Sequence, residues 1–186
     1  MIVRNKEQRV VVLVDVQNLY YSAKHLYGAK VNFKSILTTA IAGRVLTRAI
    51  AYVIKTDIVA KEHDFFEALN KSGFDVKEKD LQIFPGGAKK GDWDIGITMD
   101  AIRLAKKADS IILVSGDGDY VPLVKYLQQS EGCLVEVMAF RKTCSKDLID
   151  VCDDFINIGE SQLKYLIRYP VRKPSVSGPK KVKMEP

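Results

Sequence analysis

Two aliphatic runs constrain this chain more than anything else in it. Val10 to Val14 and Ile111 to Val114 are apolar at every position. A strand with one wetted face alternates apolar and polar residues, whereas one that is apolar throughout is buried on both faces. Such strands belong to parallel sheets, whose crossovers are helices that cover the two faces. The rest of the pattern agrees. Periodicity and capping residues predict helices over 18–26, 32–42, 60–71, 92–107, 120–129, 144–151 and 162–167. Further strands are predicted over 48–55, 74–79, 134–139 and 155–158, with a loop over 83–90. In the helix over 92–107, Ile95, Met99, Ile102 and Ala105 form the stripe expected to face the sheet. The expected fold is α/β, a three-layer Rossmann-like sandwich on a mainly parallel sheet with strand order about 3-2-1-4-5.

The chain has 186 residues, 47% apolar and 28% charged. That closes one core and excludes a compositionally disordered chain. No aliphatic run approaches the ~18 residues of a membrane span, and the first six residues lack the apolar core of a secretory signal. Three cysteines (Cys133, Cys144 and Cys152), none in a CxxC, give no disulfide framework. The expectation is a reduced, cytoplasmic protein with no membrane partner. The net charge of +6 is concentrated in the tail, where Arg172, Lys173, Lys180, Lys181 and Lys183 face Glu185 alone. Residues 1–167 read as the domain, and 168–186 as a basic Pro/Lys-rich tail without periodicity. That tail is either a solubiliser or an arm for nucleic acid.

Both aliphatic strands run into acid. Asp15 follows the first, and Asp117 and Asp119 follow the second within Ser115-Gly116-Asp117-Gly118-Asp119. In a 3-2-1-4-5 sheet these strands are neighbours at the point where strand order reverses, which is where such folds bind ligands. Asp94, at the start of a helix, joins them. Gathered carboxylates raise one another's pKa unless a cation stands among them. Hard oxygens without a His or Cys cluster select Mg²⁺ or Mn²⁺ over Zn²⁺, and such a site suits in-line displacement at phosphate. Gly116 and Gly118 are expected to supply the tight turn that aims Asp117 and Asp119 inward.

Six residues of helix separate Asp94 from Asp100, about 120° of rotation. This assigns Asp100 to a solvated face with Arg103 and Lys107, as a marginal candidate only. Asn18 either orients Asp15 and a cation's water or simply caps a helix. Lys89, Lys90 and Arg141 are candidate phosphate contacts, and Trp93 and Tyr120 are candidates for stacking on a base. His25 and His63 match no ligand spacing and read as surface residues.

The segments VVLVDVQNL (11–19), KGDWD (90–94) with Asp100, and LVSGDGDYVPL (113–123) resemble, in order and spacing, the NYN domain, and its bacterial LabA-like branch in particular. CDDFI (152–156) resembles that branch's closing acidic strand. The likeness spans roughly residues 9–160. It implies a PIN-like sandwich and a metal-dependent ribonuclease acting on RNA. The acids carry over as Asp15, Asp94, Asp117 and Asp119, helped by Asn18 and Ser115. Tyr120 stands where the family often has Phe. The expected function is therefore a Mg²⁺- or Mn²⁺-dependent endoribonuclease, as a monomer or homo-oligomer. The alternatives are a non-catalytic RNA-binding module and, further off, a small-molecule phosphatase, for which Gln17 occupies the place of a needed second acid. A nicotinamide enzyme lacks its glycine turn, because none follows the first strand.

Overall fold

A computed structural model describes residues 4–55, 59–83 and 89–168, with backbone alone at 59–62, 82–83, 89–90 and 168. In chain order the elements are β1 (Arg9–Asp15), α1 (Val16–Tyr27), β2 (Ala29–Val31), α2 (Phe33–Ile41), β3 (Val45–Lys55), α3 (Val59–Lys71) and β4 (Asp75–Asp80). After these come β5 (Gln82–Ile83), β6 (Lys89–Lys90), α4 (Asp94–Ala105), β7 (Ser110–Val114), α5 (Val121–Gln129) and β8 (Leu134–Ala139). The chain continues through α6 (Lys146–Val151), β9 (Asp154–Asn157), α7 (Gln162–Tyr165) and β10 (Leu166–Arg168). The main sheet runs β4-β3-β1-β7-β8-β9 and is parallel throughout. Numbered by these strands alone the order is 3-2-1-4-5-6, the expected order with the last short strand added at the edge.

The aliphatic runs are central, as their composition requires. Every residue from Val10 to Val14 is fully buried. Alternate positions serve opposite cores: Val10, Val12 and Val14 meet Leu19 and Ala23 of α1 and Ile36 of α2. Val11 and Leu13 meet Ile97 and Ala101 of α4 and Val124 of α5. Burying such side chains contributes roughly 1.5–3 kcal/mol each. Among the described residues, no helix is long and apolar enough to cross a membrane.

Asn32 caps α2 as expected, its Oδ1 accepting from Ser35 N at 3.2 Å, and α2 ends at Ala42 in the left-handed region, just before Gly43. Three elements depart from the sequence reading. The terminal helix stops at Tyr165, and β10 turns back antiparallel to β2, a pairing absent from the expectation. Short pieces at the two ends of the predicted 83–90 loop pair as β5 and β6. The third departure bears on the site. On α4, Ile95 and Met99 are 79% and 64% exposed, while Ile97, Ala101, Leu104 and Ala105 are buried. The helix carries two apolar stripes at helical spacing. The one rich in alanine faces inward, where small side chains let α4 approach the sheet.

A charged network is buried within this frame. Glu136 of β8 is fully buried and Arg44, just before β3, nearly so. Arg44 Nη1 donates to Glu136 Oε1, as does Ser110 Oγ at 2.8 Å. Arg4 Nη2 reaches Oε2 at 2.7 Å and also holds Asp154. Burial alone would raise the Glu136 pKa, but the bonds from Arg44, Arg4 and Ser110 outweigh it and hold the carboxyl below its ordinary value.

Candidate active site

Asp15 ends β1 and caps α1. Its Oδ1 accepts from Asn18 N at 3.1 Å, so α1 starts at Val16 rather than at the expected Asn18. The Asn18 side chain is thereby free of capping and crosses to the neighbouring loop, where its Oδ1 accepts from Gly116 N at 3.0 Å. β1 and β7 are paired neighbours, and strand order reverses between them. Their carboxyl ends thus open on the crevice where this sheet class binds ligands.

The segment after β7 is built from short local bonds. Ser115 is fully buried and its Oγ accepts from Asp117 N at 3.3 Å. Asp117 Oδ1 accepts from Asp119 N at 3.0 Å, capping a single 3₁₀ turn. Asp119 is exposed at the rim. Tyr120 is 1% exposed, and its hydroxyl donates to Asp94 Oδ1 at 3.0 Å. Asp94 is the first residue of α4.

The two glycines act differently from expectation. Neither Gly116 nor Gly118 has a positive φ. What excludes a side chain is the chain after β8. A Cβ at Gly116 would lie 3.0 Å from Cys144 Cα and 3.3 Å from Thr143 O, and one at Gly118 would lie 2.8 Å from Ser145 Oγ. Ser145 N also donates to Gly116 O at 2.9 Å. Close approach of backbone at Gly116 and of the Ser145 side chain at Gly118, not turn conformation, is the reason for glycine here.

The acids act on one another. Burial, then Asp94 and Asp117, push the Asp15 carboxyl up to about 6. Asp94 is also raised, by burial and by Asp117, Asp92 and Asp119, against the opposing bond from Tyr120. Among the described residues, no Lys or Arg ion-pairs with Asp15, Asp94, Asp117 or Asp119. Nor, among those residues, do three acidic, His or Cys side chains stand close enough to enclose an ion. A hydrated hard cation such as Mg²⁺ needs only one or two carboxylates, with water and phosphate completing its shell. The donor set does not fit a closed protein cage.

The burial of Asp15, with its acidic neighbours adding to it, has a pH signature. The folded Asp15 keeps its proton to about pH 6, against an ordinary value of 3.8. Between those values the folded state binds more protons, so stability is greatest in acid and falls as pH rises through the window. A shift of about two units corresponds to about 3 kcal/mol. Asp15→Asn retains the cap and loses the charge. In metal-free buffer it is expected to melt roughly 5–10 °C above wild type at pH 7 and level with it near pH 4. Thermal melts across pH check this, and equal slopes would contradict it.

Asp100 is not on a solvated face. It is 6% exposed and accepts from Tyr52 Oη at 2.7 Å, Lys77 Nζ at 2.6 Å and Arg103 Nη2 at 2.8 Å. The i,i+3 pair with Arg103 agrees with expectation. The burial does not, because the stripe that meets the sheet is Ile97/Ala101 rather than Ile95/Met99, and Asp100 turns inward with it. Burial pushes its pKa up, but Lys77, Arg103 and Tyr52 prevail and hold it low. The carboxylate is already fully engaged. Asp100→Asn is expected to cost about 1–2 kcal/mol, since Lys77 and Arg103 can turn to solvent, while any nucleolytic rate stays within a few-fold. Urea unfolding beside a cleavage assay tests both halves.

The remaining candidates are dispersed. Trp93 is half-buried: its Nε1 donates to Val53 O at 2.9 Å, its ring lies 5.3 Å from Tyr52, and a Cβ on Gly96 would come within 2.5 Å of it. Lys79 lies over that ring at 5.9 Å. Tyr120 is too enclosed to offer a ring face to a base, which corrects its reading as a stacking residue. Its bond to Asp94 has no sequence signal, because nothing local links positions so far apart. Arg141 lies over the Phe155 ring at 4.8 Å. Lys89 and Lys90 form β6, and their side chains lie outside the described residues, as does the tail from 169 onward. His25 and His63 are exposed.

Residues 9–159 match the NYN domain. The crystal structure of a protein of unknown function from Vibrio parahaemolyticus is similar, with a TM-score of 0.80 and 34% sequence identity; the match covers 89% of this chain and 100% of that one. No curated protein matches.

Proposed function

We propose that this chain, which belongs to the NYN domain family, is a Mg²⁺- or Mn²⁺-dependent endoribonuclease. The NYN domain is part of the PIN-like nuclease superfamily, and the finer reading rests on one observation. Asp15 and Asp117 lie just beyond the ends of two paired buried strands and Asp94 acts on Asp15 from the start of α4; among the described residues none of them has a cationic partner, and Asp15 and Asp94 are held above their ordinary pKa.

One or two of Asp15, Asp94, Asp117 and Asp119 would hold the cation directly and the others through its water shell. When bound, it supplies positive charge to the phosphodiester oxygens and acidifies an attacking water. The chain's own residues do the rest. Asn18 ties the α1 N-terminus to Gly116, and Ser115 fixes the Asp117 backbone, so two acids keep their relative place. Burial and the neighbouring acids push the Asp15 carboxyl up to about 6, so this acid gains its charge just below neutrality. Lys89, Lys90 and Arg141 are proposed to meet the RNA backbone, and Trp93 to border it. A cytoplasmic location belongs to the same proposal.

Purified protein incubated with structured and unstructured RNA in Mn²⁺, Mg²⁺ or EDTA tests the reading. Internal cleavage in either cation, abolished by EDTA, is the expected result. RNA bound and left whole would replace it with the binding-module reading.

A further inference from the structure

Three of the four acids have one carboxylate oxygen fixed by a hydrogen-bond donor, and the donors differ in kind. Asp15 Oδ1 is held by Asn18 N and Asp117 Oδ1 by Asp119 N. Both donors are backbone amides that the fold itself supplies. Asp94 has no such amide. Trp93, at the cap position of α4, makes no side-chain cap, and among the described residues the one hydrogen bond to the Asp94 carboxylate comes from Tyr120 Oη at 3.0 Å. Asp94 is therefore the acid whose orientation rests on a side chain.

We propose that Tyr120 is a positioning residue of the cation site, its hydroxyl fixing the orientation of the Asp94 carboxylate. This rests on the divalent-cation reading above. The tyrosine is suited to the task. Its ring is 1% exposed within the core shared by α4 and α5, so the hydroxyl is a fixed donor with little conformational freedom to lose. A phenol is protonated at neutral pH, so the hydroxyl can donate to the ionised acid. The geometry also joins two segments: α4 carries Asp94, and the turn carrying Asp117 and Asp119 ends in Tyr120. One bond thereby ties the start of α4 to the turn that carries Asp117 and Asp119. Outer partners of ligating carboxylates typically contribute 10–100-fold to metal affinity.

The test is calorimetric titration of the full chain with Mn²⁺ alone at pH 7.5, without RNA. Tyr120→Phe is expected to weaken the Mn²⁺ Kd by about 10-fold while melting within a few degrees of wild type in EDTA. In an Asp94→Asn background the same change should weaken Mn²⁺ no further. Tyr165→Phe removes a buried hydroxyl bonded to Thr39 Oγ1, away from the acids, and should leave the Kd unchanged. A Tyr120→Phe Kd within twofold of wild type overturns the proposal while leaving the cation reading intact. So does a loss that persists beside Asp94→Asn, or a Tyr120→Phe chain that fails to fold, since each marks a purely structural role. A wild-type chain that takes up no Mn²⁺ overturns the cation reading, and this proposal with it.

Discussion

Asp117→Asn is expected to lower RNA cleavage by about 10²–10³-fold, a barrier increase of about 3–4 kcal/mol. The substitution is close to isosteric. An asparagine Oδ1 still accepts from Asp119 N, so the 3₁₀ cap at 3.0 Å survives, and what disappears is one negative charge. Binding to RNA should hold or tighten slightly. Affinity comes mainly from Lys and Arg on phosphates, and an acid in the crevice opposes the approach of the backbone. Single-turnover cleavage and a binding isotherm in EDTA separate the two. Equal loss of binding and cleavage would mean that Asp117 shapes the surface rather than serving the reaction.

Removal of Glu136 is expected to be the most damaging single change to the fold. Glu136→Ala leaves Arg44, 6% exposed, without its carboxylate. An uncompensated buried charge costs about 3–5 kcal/mol. The double variant Glu136→Leu with Arg44→Met should recover much of that loss, since apolar replacement of a whole buried pair is often neutral. The pH dependence runs opposite to that of Asp15. Glu136 has a depressed folded pKa, so its contribution is present at neutral pH and disappears as pH falls through that value. Chemical denaturation of the two variants checks the cost. A Glu136→Ala loss under 1 kcal/mol would contradict it.

What could be read from the sequence followed the strength of the local signal. Val10–Val14 and Ile111–Val114 could be placed because a fully apolar run with acid soon after it suits little besides a strand covered on both faces that opens on a crevice. Strand order and the crevice came with them. The neighbouring positions of Asp15 and Asp117 followed from topology, since the ends of paired parallel strands lie side by side wherever the side chains point. The inward face of α4 did not follow. Ile95/Met99 and Ile97/Ala101 both lie at helical spacing, and only packing against β1 and β7 chooses between them. Asp100 went with that choice. The Tyr120–Asp94 bond, the Asn18–Gly116 link and the close approach of Cys144 to Gly116 all join segments distant in sequence, where no periodicity carries information. The pairing of β2 with β10 is illegible for a different reason: three residues are too few to show alternation.

The claim that these acids form a divalent-cation site is tested most directly by thermal scans of wild type and Asp117→Asn, each in EDTA and in Mn²⁺. Without metal, wild type should melt below Asp117→Asn, because the variant relieves repulsion without losing its cap. At about 100 times its Kd, Mn²⁺ should stabilise wild type by about 2.7 kcal/mol, roughly 5–10 °C for a chain of this size, and the variant by little. The ranking then reverses. A wild type indifferent to Mn²⁺, together with an Asp117→Asn that melts lower in EDTA, would make these residues turn and cap formers and contradict the site.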